Sequence, residues 1–344
     1  MENKISLDLK NIGRIILKKY SSLVVLLVIV ILASCVSNVF LTTNNILNVL
    51  RQITANGILS IGLLMVIMTG GMDISIGSVV GVTSVFFVAF YFPDKAEGPF
   101  QGLFVAVNKI LPAGIAGMVM ILILLLLIGA LLGFINGLVI CKASVQPFIM
   151  TIGTLTLYRG IALLASNGKP IYMDEERSNM VSFIGSGSVF GGIPTQLIVL
   201  IIVAIIVAFL LNKTIFGRYV RAIGGNEEAA RVAGINVDSY KIAAYMLCSM
   251  MAVVAGFVLT SRTTTGDPTL GNSFEMNAIA SCVIGGASLS GGIGTVFGTI
   301  VGAVIIGIIN NILNLANIST YYQYVVRGGI IILAVIFNSK KKRK

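Results

Sequence analysis

From Ser21 to Phe337 the sequence is a succession of apolar runs that are too long and too free of charge to belong to a water-soluble domain. Gly114 to Ile140 contains no charged residue, and neither does Gln196 to Leu211. A helix needs about 20 such residues to cross the hydrocarbon core of a bilayer, where every backbone polar group must be satisfied within the protein. The expected fold class is therefore an all-α polytopic membrane protein. Composition agrees: 56% of residues are hydrophobic, 11% are charged and mean hydropathy is +0.99, with the charged share less than half that of a soluble domain.

Spans are expected at about Ser21–Phe40, Ala55–Met68, Ile74–Phe92, Gly114–Ile140, Val145–Ala165, Gln196–Leu211, Ile242–Leu259, Glu275–Ile284, Thr295–Leu313 and Tyr321–Phe337. That makes about ten crossings, of which the second and eighth are short for the purpose. The first run lacks a small-residue cleavage pattern and reads as a retained span. Lys4, Lys10, Arg14, Lys18 and Lys19 precede it, and Lys142, Lys213, Arg218, Arg221, Arg231, Lys241 and Lys340 to Lys344 fall on the same side when ten crossings are counted. Both termini are then cytoplasmic. The chain divides into an N-terminal cytoplasmic segment 1–20, a membrane domain 21–338 with a cytoplasmic polar segment at 213–240, and a basic tail 339–344.

Several chemistries are excluded. The chain has no histidine, so His-based acid–base catalysis and His metal ligation are absent, and no metal site is expected. Cys35, Cys141, Cys248 and Cys282 lie far apart and read as small apolar residues. The sequence Asn167-Gly168-Lys169-Pro170 lacks the first glycine and the closing hydroxyl of a phosphate-binding loop, so no nucleotide site is expected. The net charge of +11 is scattered over short loops and tails, as topology signals are, and implies no nucleic-acid partner.

The polar segment Lys213 to Tyr240, KTIFGRYVRAIGGNEEAARVAGINVDSY, has its own local structure. Gly224 and Gly225 interrupt what precedes them, Asn226 is a good N-cap, and Glu227 and Glu228 put negative charge where the helix dipole favours it. Ala229, Ala230 and Ala233 favour helix and Gly234 is a natural stop. The expectation is one capped helix of about two turns, too short to be stable without packing on its own spans or a partner.

Two glycine-rich stretches share the pattern GG-x-x-x-S-x-G, at Gly70 to Gly77 and Gly285 to Gly292, which hints at an internal duplication with a broken helix at each place. Asp73 and Ser75 lie in the first, and Asp73 reads either as a residue of a polar path or as the N-cap of the third span. Arg159 sits within the fifth span, where an unpaired guanidinium costs at least about 2.5 kcal/mol, so it must face the bundle and meet carbonyls, water or an acid. Asn136, Glu275 and Asn277 complete a set assigned to the path or its frame. Asn311 and its neighbour Asn310 suit interhelical hydrogen bonding as well.

The segment FGRYVRAIGGNEEAARVAGINV resembles the cytoplasmic coupling loop of the sugar-type ABC importer permeases, the membrane subunits for ribose, xylose, arabinose and galactose within the branched-chain amino acid/sugar permease superfamily. GGMDISIGS, INGLVICKASVQPFIMTIGTLTLYRG and GDPTLGNSFEMNAIASCVIGGASLSGGIGTVFGTIVGA are similar to further blocks of that family, so the likeness runs from about Thr54 to Asn311. Ser273-Phe274-Glu275-Met276 departs from it, since the family has a tyrosine before the glutamate and a leucine after it. The resemblance implies that Gly225, Asn226, Glu227, Glu228, Ala229, Ala230, Arg231 and Gly234 form the coupling motif that docks on an ATPase subunit. It implies a permease of the bacterial inner membrane that pairs with a second permease subunit, the same or a sister chain. An extracytoplasmic binding protein delivers the solute, and ATP and Mg are bound by the ATPase, with no cofactor or catalytic residue in this chain. The cargo is a monosaccharide such as ribose, or within the same family a nucleoside, a furanosyl autoinducer-2-like molecule or an amino acid. An ion-coupled secondary transporter is the more distant reading, and it lacks the acids deep in the spans that ion coupling needs.

Overall fold

The computed structural model describes residues 21–189, 191–319, 321–326, 328–330 and 332. The segment 1–20, the tail 339–344, Arg327 and part of the last expected span, residues 331 and 333–337, lie outside the described residues. In chain order the helices are α1 (Ser21–Val36), α2 (Thr43–Met68), α3 (Ile76–Tyr91), α4 (Gln101–Asn108), α5 (Ile115–Lys142), α6 (Pro147–Ala165) and α7 (Glu175–Ser186). They continue as α8 (Thr195–Lys213), α9 (Ile215–Gly225), α10 (Glu227–Val232), α11 (Val237–Thr263), α12 (Phe274–Ile284) and α13 (Val296–Leu315). Two antiparallel pairs of two-residue strands join loops: β1 (Ile171–Tyr172) with β4 (Thr265–Gly266), and β2 (Ser188–Val189) with β3 (Ile193–Pro194).

Among the described residues 6 helices are long and apolar enough to cross a membrane: α2, α5, α6, α8, α11 and α13. Of the ten expected crossings, three fall on helices short for the purpose, α1 and α3 with 16 residues each and α12 with 11, and the tenth, 321–337, is described only in part. The second span is longer than its apolar core suggested, 26 residues from Thr43 rather than from Ala55. Its polar first turns hid it, yet those side chains are used: Asn45 and Asn311 of α13 exchange reciprocal amide hydrogen bonds of 3.0 and 2.9 Å, both buried. The α11 helix likewise begins at Val237 rather than Ile242, because the Asn236 side chain caps it by accepting from the amide of Ser239 at 3.2 Å.

Burial sorts the helices into a centre and a rim. Nearly every residue of α3 is buried, as is α2 from Ile53 to Met68, and α11 packs against both. By contrast α5, α6 and α8 expose large apolar side chains such as Leu127, Leu157 and Ile205, the surface that lipid would cover. Two spans pack without an apolar driving force when small residues let backbones approach. On α5, Gly129, Gly133 and Gly137 form such a stripe: a Cβ on Gly133 or Gly137 would stand 2.7 Å from the Cα of Met246 or Ile242 of α11.

Both glycine-rich stretches are helix stops of one type. After α2, Gly70 has φ +81° while Gly71 N donates to Val66 O and Gly70 N to Ile67 O. After α12, Gly286 has φ +91° while Ala287 N donates to Cys282 O and Gly286 N to Val283 O. The structural correspondence pairs Gly70 with Gly286, one residue out of register with the sequence pattern, because the residue capping the helix is Thr69 in the first and Gly285 in the second.

Candidate functional site

The polar segment folds as two helices at an angle set by Asn226. The first, α9, is amphipathic and buries Gly217, Val220 and Ile223; it was missed in the sequence, although Ile215, Phe216, Tyr219, Val220 and Ile223 have helical spacing. The second, α10, is the expected short helix. Asn226 accepts from Ala229 N at 2.9 Å, Glu227 and Glu228 lie in its first turn, and Gly234 takes φ +83°. Ile235 N donates to Ala230 O at 3.1 Å, closing the helix, and Ile235 joins Ile223, Ala230 and Val237 in a small apolar cluster beneath it.

Charges bind α10 to the membrane helices. Glu227 pairs with Lys241 at 2.9 Å and with Arg231 at 3.5 Å; Arg231 reaches Asp238 at 3.3 Å, and Asp238 receives Lys142 of α5 at 2.9 Å. An exposed pair contributes about 0.2–1 kcal/mol, but linked pairs fix geometry even where each is weak. Glu227 and Arg231 thus face their own chain. The outward face carries Glu228, Ala229 and Val232, the last 89% exposed, a bare apolar side chain four residues from an acid on a polar helix.

A second cluster is buried between α3, α5 and α6. Asp73 is fully buried, and its Oδ1 accepts from Ser75 N at 2.9 Å and Ser75 Oγ at 2.6 Å. Asn136 of α5 donates to Ser75 Oγ at 2.9 Å, and its Oδ1 accepts from Tyr158 of α6 at 3.4 Å. Asp73 Oδ2 has no hydrogen-bond partner among the described residues. The N-cap reading of Asp73 is corrected: α3 starts at Ile76 with Ser75 at the cap position, and Asp73, two residues before that cap, closes a turn onto Ser75. The stop at Gly70 leaves a non-helical connection through Ile74, and the carboxylate stabilises that connection.

Arg159 meets carbonyls. Its Nη2 donates to Gly77 O at 3.0 Å and its Nη1 to Leu270 O at 3.0 Å and to Pro268 O at shorter range. Gly77 belongs to α3, and the other two acceptors to the non-helical stretch Thr265–Gly271, a two-residue strand followed by turns, which lies beside α3 where Ser84 Oγ accepts from Asp267 N at 3.0 Å. Non-helical backbone inside a membrane bundle persists only when its polar groups are satisfied by protein or by water, and Arg159 supplies donors to it. Glu275 is buried with its carboxylate against Gly77, and Asn277 is buried one turn along α12. Of the residues expected in a path or its frame, Asp73, Ser75 and Asn136 form one hydrogen-bonded group, while Arg159 and Glu275 both stand against Gly77 in the first turn of α3. Asn277 stands apart with α12. At the other end of α3 a cavity of about 380 Å³ lies among Tyr91, Asn108, Pro112, Gly117 and Met180.

Comparison with known proteins places this geometry. Residues 45–335 match the family described as branched-chain amino acid transport system / permease component. The ribose import permease protein of Bacillus subtilis is 40% identical over 326 residues, 95% of this chain and 94% of that protein. The counterpart from Escherichia coli K12 is 36% identical over 95% of both chains. The L-arabinose ABC transporter permease protein of Azospirillum brasilense is 35% identical over 89% of this chain and 83% of that protein. No solved structure matches the chain.

Proposed function

The chain belongs to the branched-chain amino acid transport system / permease component family, and on that premise we propose that it is the transmembrane subunit of a bacterial ATP-binding-cassette importer for a monosaccharide such as ribose. The observation that carries this reading is the run of relatives named as ribose and arabinose permeases, at 35–40% identity along most of the chain. An ATPase subunit that binds ATP and Mg docks on α10, an extracytoplasmic binding protein delivers the sugar at the opposite end, and a second permease subunit completes the path in the inner membrane. The finer topology is ten crossings with both termini in the cytoplasm. Supporting it, the turn-rich stretch Thr265–Gly271 runs back along α3 from Ser84 to Gly77, and α12 carries on from there beside α2, so that the two together make one crossing.

The coupling role is assigned to the outer face of α10. ATP binding favours one access state through contacts that differ between the states, and those contacts need an exposed, structurally fixed surface. Glu228 and Val232 supply it, while Glu227 and Arg231 hold the helix in place. The test is D-ribose-stimulated ATPase activity in proteoliposomes containing the permease, its ATPase and the binding protein. Glu228→Arg and Val232→Asp are expected to abolish stimulation and co-purification with the ATPase while leaving the unfolding temperature of the permease unchanged, as both side chains are exposed. Ribose uptake by wild type without any ATPase would overturn the assignment.

A further inference from the structure

Directly behind the coupling helix, three glycine segments from distant parts of the chain touch backbone to backbone. They are the end of α9 at Gly224, the stop after α2 at Met68–Gly70, and the turn between α12 and α13 at Ser290–Gly292. Gly292 N donates to Met68 O at 3.0 Å. A Cβ built on Gly291 would stand 2.7 Å from Gly224 Cα and 2.9 Å from Gly70 N, and one built on Gly224 would overlap Met68 O and Gly292 N. The three atoms nearest to a Cβ at either position all belong to backbone.

We propose that this three-way contact is the mechanical joint through which displacement of the coupling segment reaches the two helix stops, with Gly224 as its positioning residue. The inference rests on the coupling role assigned to α10 above. Gly224 is two residues before the Asn226 cap and next to Ile223, which packs under α10 against Ala230, so a tilt of α10 acts on it both through Gly225 and through that apolar contact. Flexible side chains absorb small shifts by changing rotamer; close-packed backbones do not, and such interfaces move between discrete arrangements. The first stop leads within five residues to Asp73 and Ser75, whose hydrogen bonds run on to Asn136. Tyr245 of α11 grips the same turn from the far side, donating to Met72 O at 3.2 Å. The second stop leads into α13 and, backwards, into α12 with Glu275 and Asn277. One push at Gly224 therefore acts on both groups of polar residues in the bundle. Both glycine-rich stretches meet the coupling segment, the first at its helix stop and the second five residues past Gly286, at Gly291 and Gly292.

The test uses the complete complex in proteoliposomes, with D-ribose and its binding protein. Gly224→Ala inserts a methyl group into the joint without touching the outer face of α10. The expected result is that the variant still co-purifies with the ATPase while ribose transported per ATP hydrolysed falls by about five- to tenfold, a coupling loss of ordinary size. Gly291→Ala is expected to do the same, and the two together to lose little more than either, because both spoil one contact. Full transport per ATP in a folded Gly224→Ala complex overturns the proposal. Hydrogen exchange on the wild-type complex decides the matter should the variants fail to fold. On ATP binding, exchange is expected to change in residues 222–236, 66–76 and 286–294 together. A response confined to 222–236 sinks the joint alone, whereas no response in 222–236 sinks the docking of α10 and the joint with it.

Discussion

Arg159 links three chain segments through carbonyls that have no other use for a side-chain donor. Arg159→Leu leaves the loop oxygens of Pro268 and Leu270 without a donor, while Gly77 O keeps its helical bond, and a buried acceptor stranded in this way costs about 1–3 kcal/mol. A marked fall in unfolding temperature in detergent is expected, with Arg159→Lys in between because a single ammonium cannot serve separated carbonyls as a planar fork does. Unfolding of Arg159→Leu at the wild-type temperature would refute the bracing role. Asp73 allows a sharper division between structure and transport. Its Oδ1 accepts two bonds from Ser75 and its Oδ2 none among the described residues, so Asp73→Asn keeps the acceptor that matters. The asparagine variant is expected to unfold like wild type and Asp73→Ala to lose about 1–3 kcal/mol. Ribose uptake measured on the asparagine variant then reports on the carboxylate itself, because the turn is intact. The sequence showed that Arg159 must meet polar partners in the bundle. It could not show which ones, because carbonyls have no residue type and the stretch that presents them, GDPTLG, looks like an ordinary loop.

At the scale of the element, legibility followed the locality of the signal. The α10 helix was readable to its caps because Asn226, Glu227, Glu228 and Gly234 act within one turn of the bonds they make. Its neighbour α9 was not, since the two glycines that close it suggested a break and drew attention from the apolar spacing before them. The glycine stripe of α5 was overlooked for a related reason: in a uniformly apolar helix nothing marks one face except residue size, and a G-x-x-x-G-x-x-x-G spacing at Gly129, Gly133 and Gly137 was the available sign. Its importance is testable. Gly133→Leu drives a branched side chain into the backbone of Tyr245 and Met246, and overpacking of this kind costs about 1–3 kcal/mol. The variant is expected to give a lower yield of monodisperse protein and a lower unfolding temperature. Gly160→Leu, on a face of α6 where a Cβ meets nothing within 4 Å, is expected to behave as wild type.

At the scale of the molecule, the class of the protein was written in its hydropathy, whereas the number of crossings was not. A hydropathy window counts helices, and this bundle uses 16-residue helices, an 11-residue half-helix and a turn-rich stretch in which Arg159 and Ser84 bond the backbone of Asp267, Pro268 and Leu270. What crosses the membrane is then decided by which ends face which side, and two exposed residues decide it most directly. Tyr172 in β1 is 65% exposed and Val232 in α10 is 89% exposed. Between them lies one helix long and apolar enough to span, α8. The two positions must therefore lie on opposite sides of the membrane. Among the native thiols Cys248 and Cys282 are buried, so a background with Cys35 and Cys141 replaced by Ser leaves little that a membrane-impermeant maleimide can reach. In that background Tyr172→Cys is expected to be labelled in intact spheroplasts and Val232→Cys only in inside-out vesicles. Labelling of Val232→Cys from outside would put α10 beyond the reach of any cytoplasmic ATPase, and the energy source of the transporter would have to be sought elsewhere.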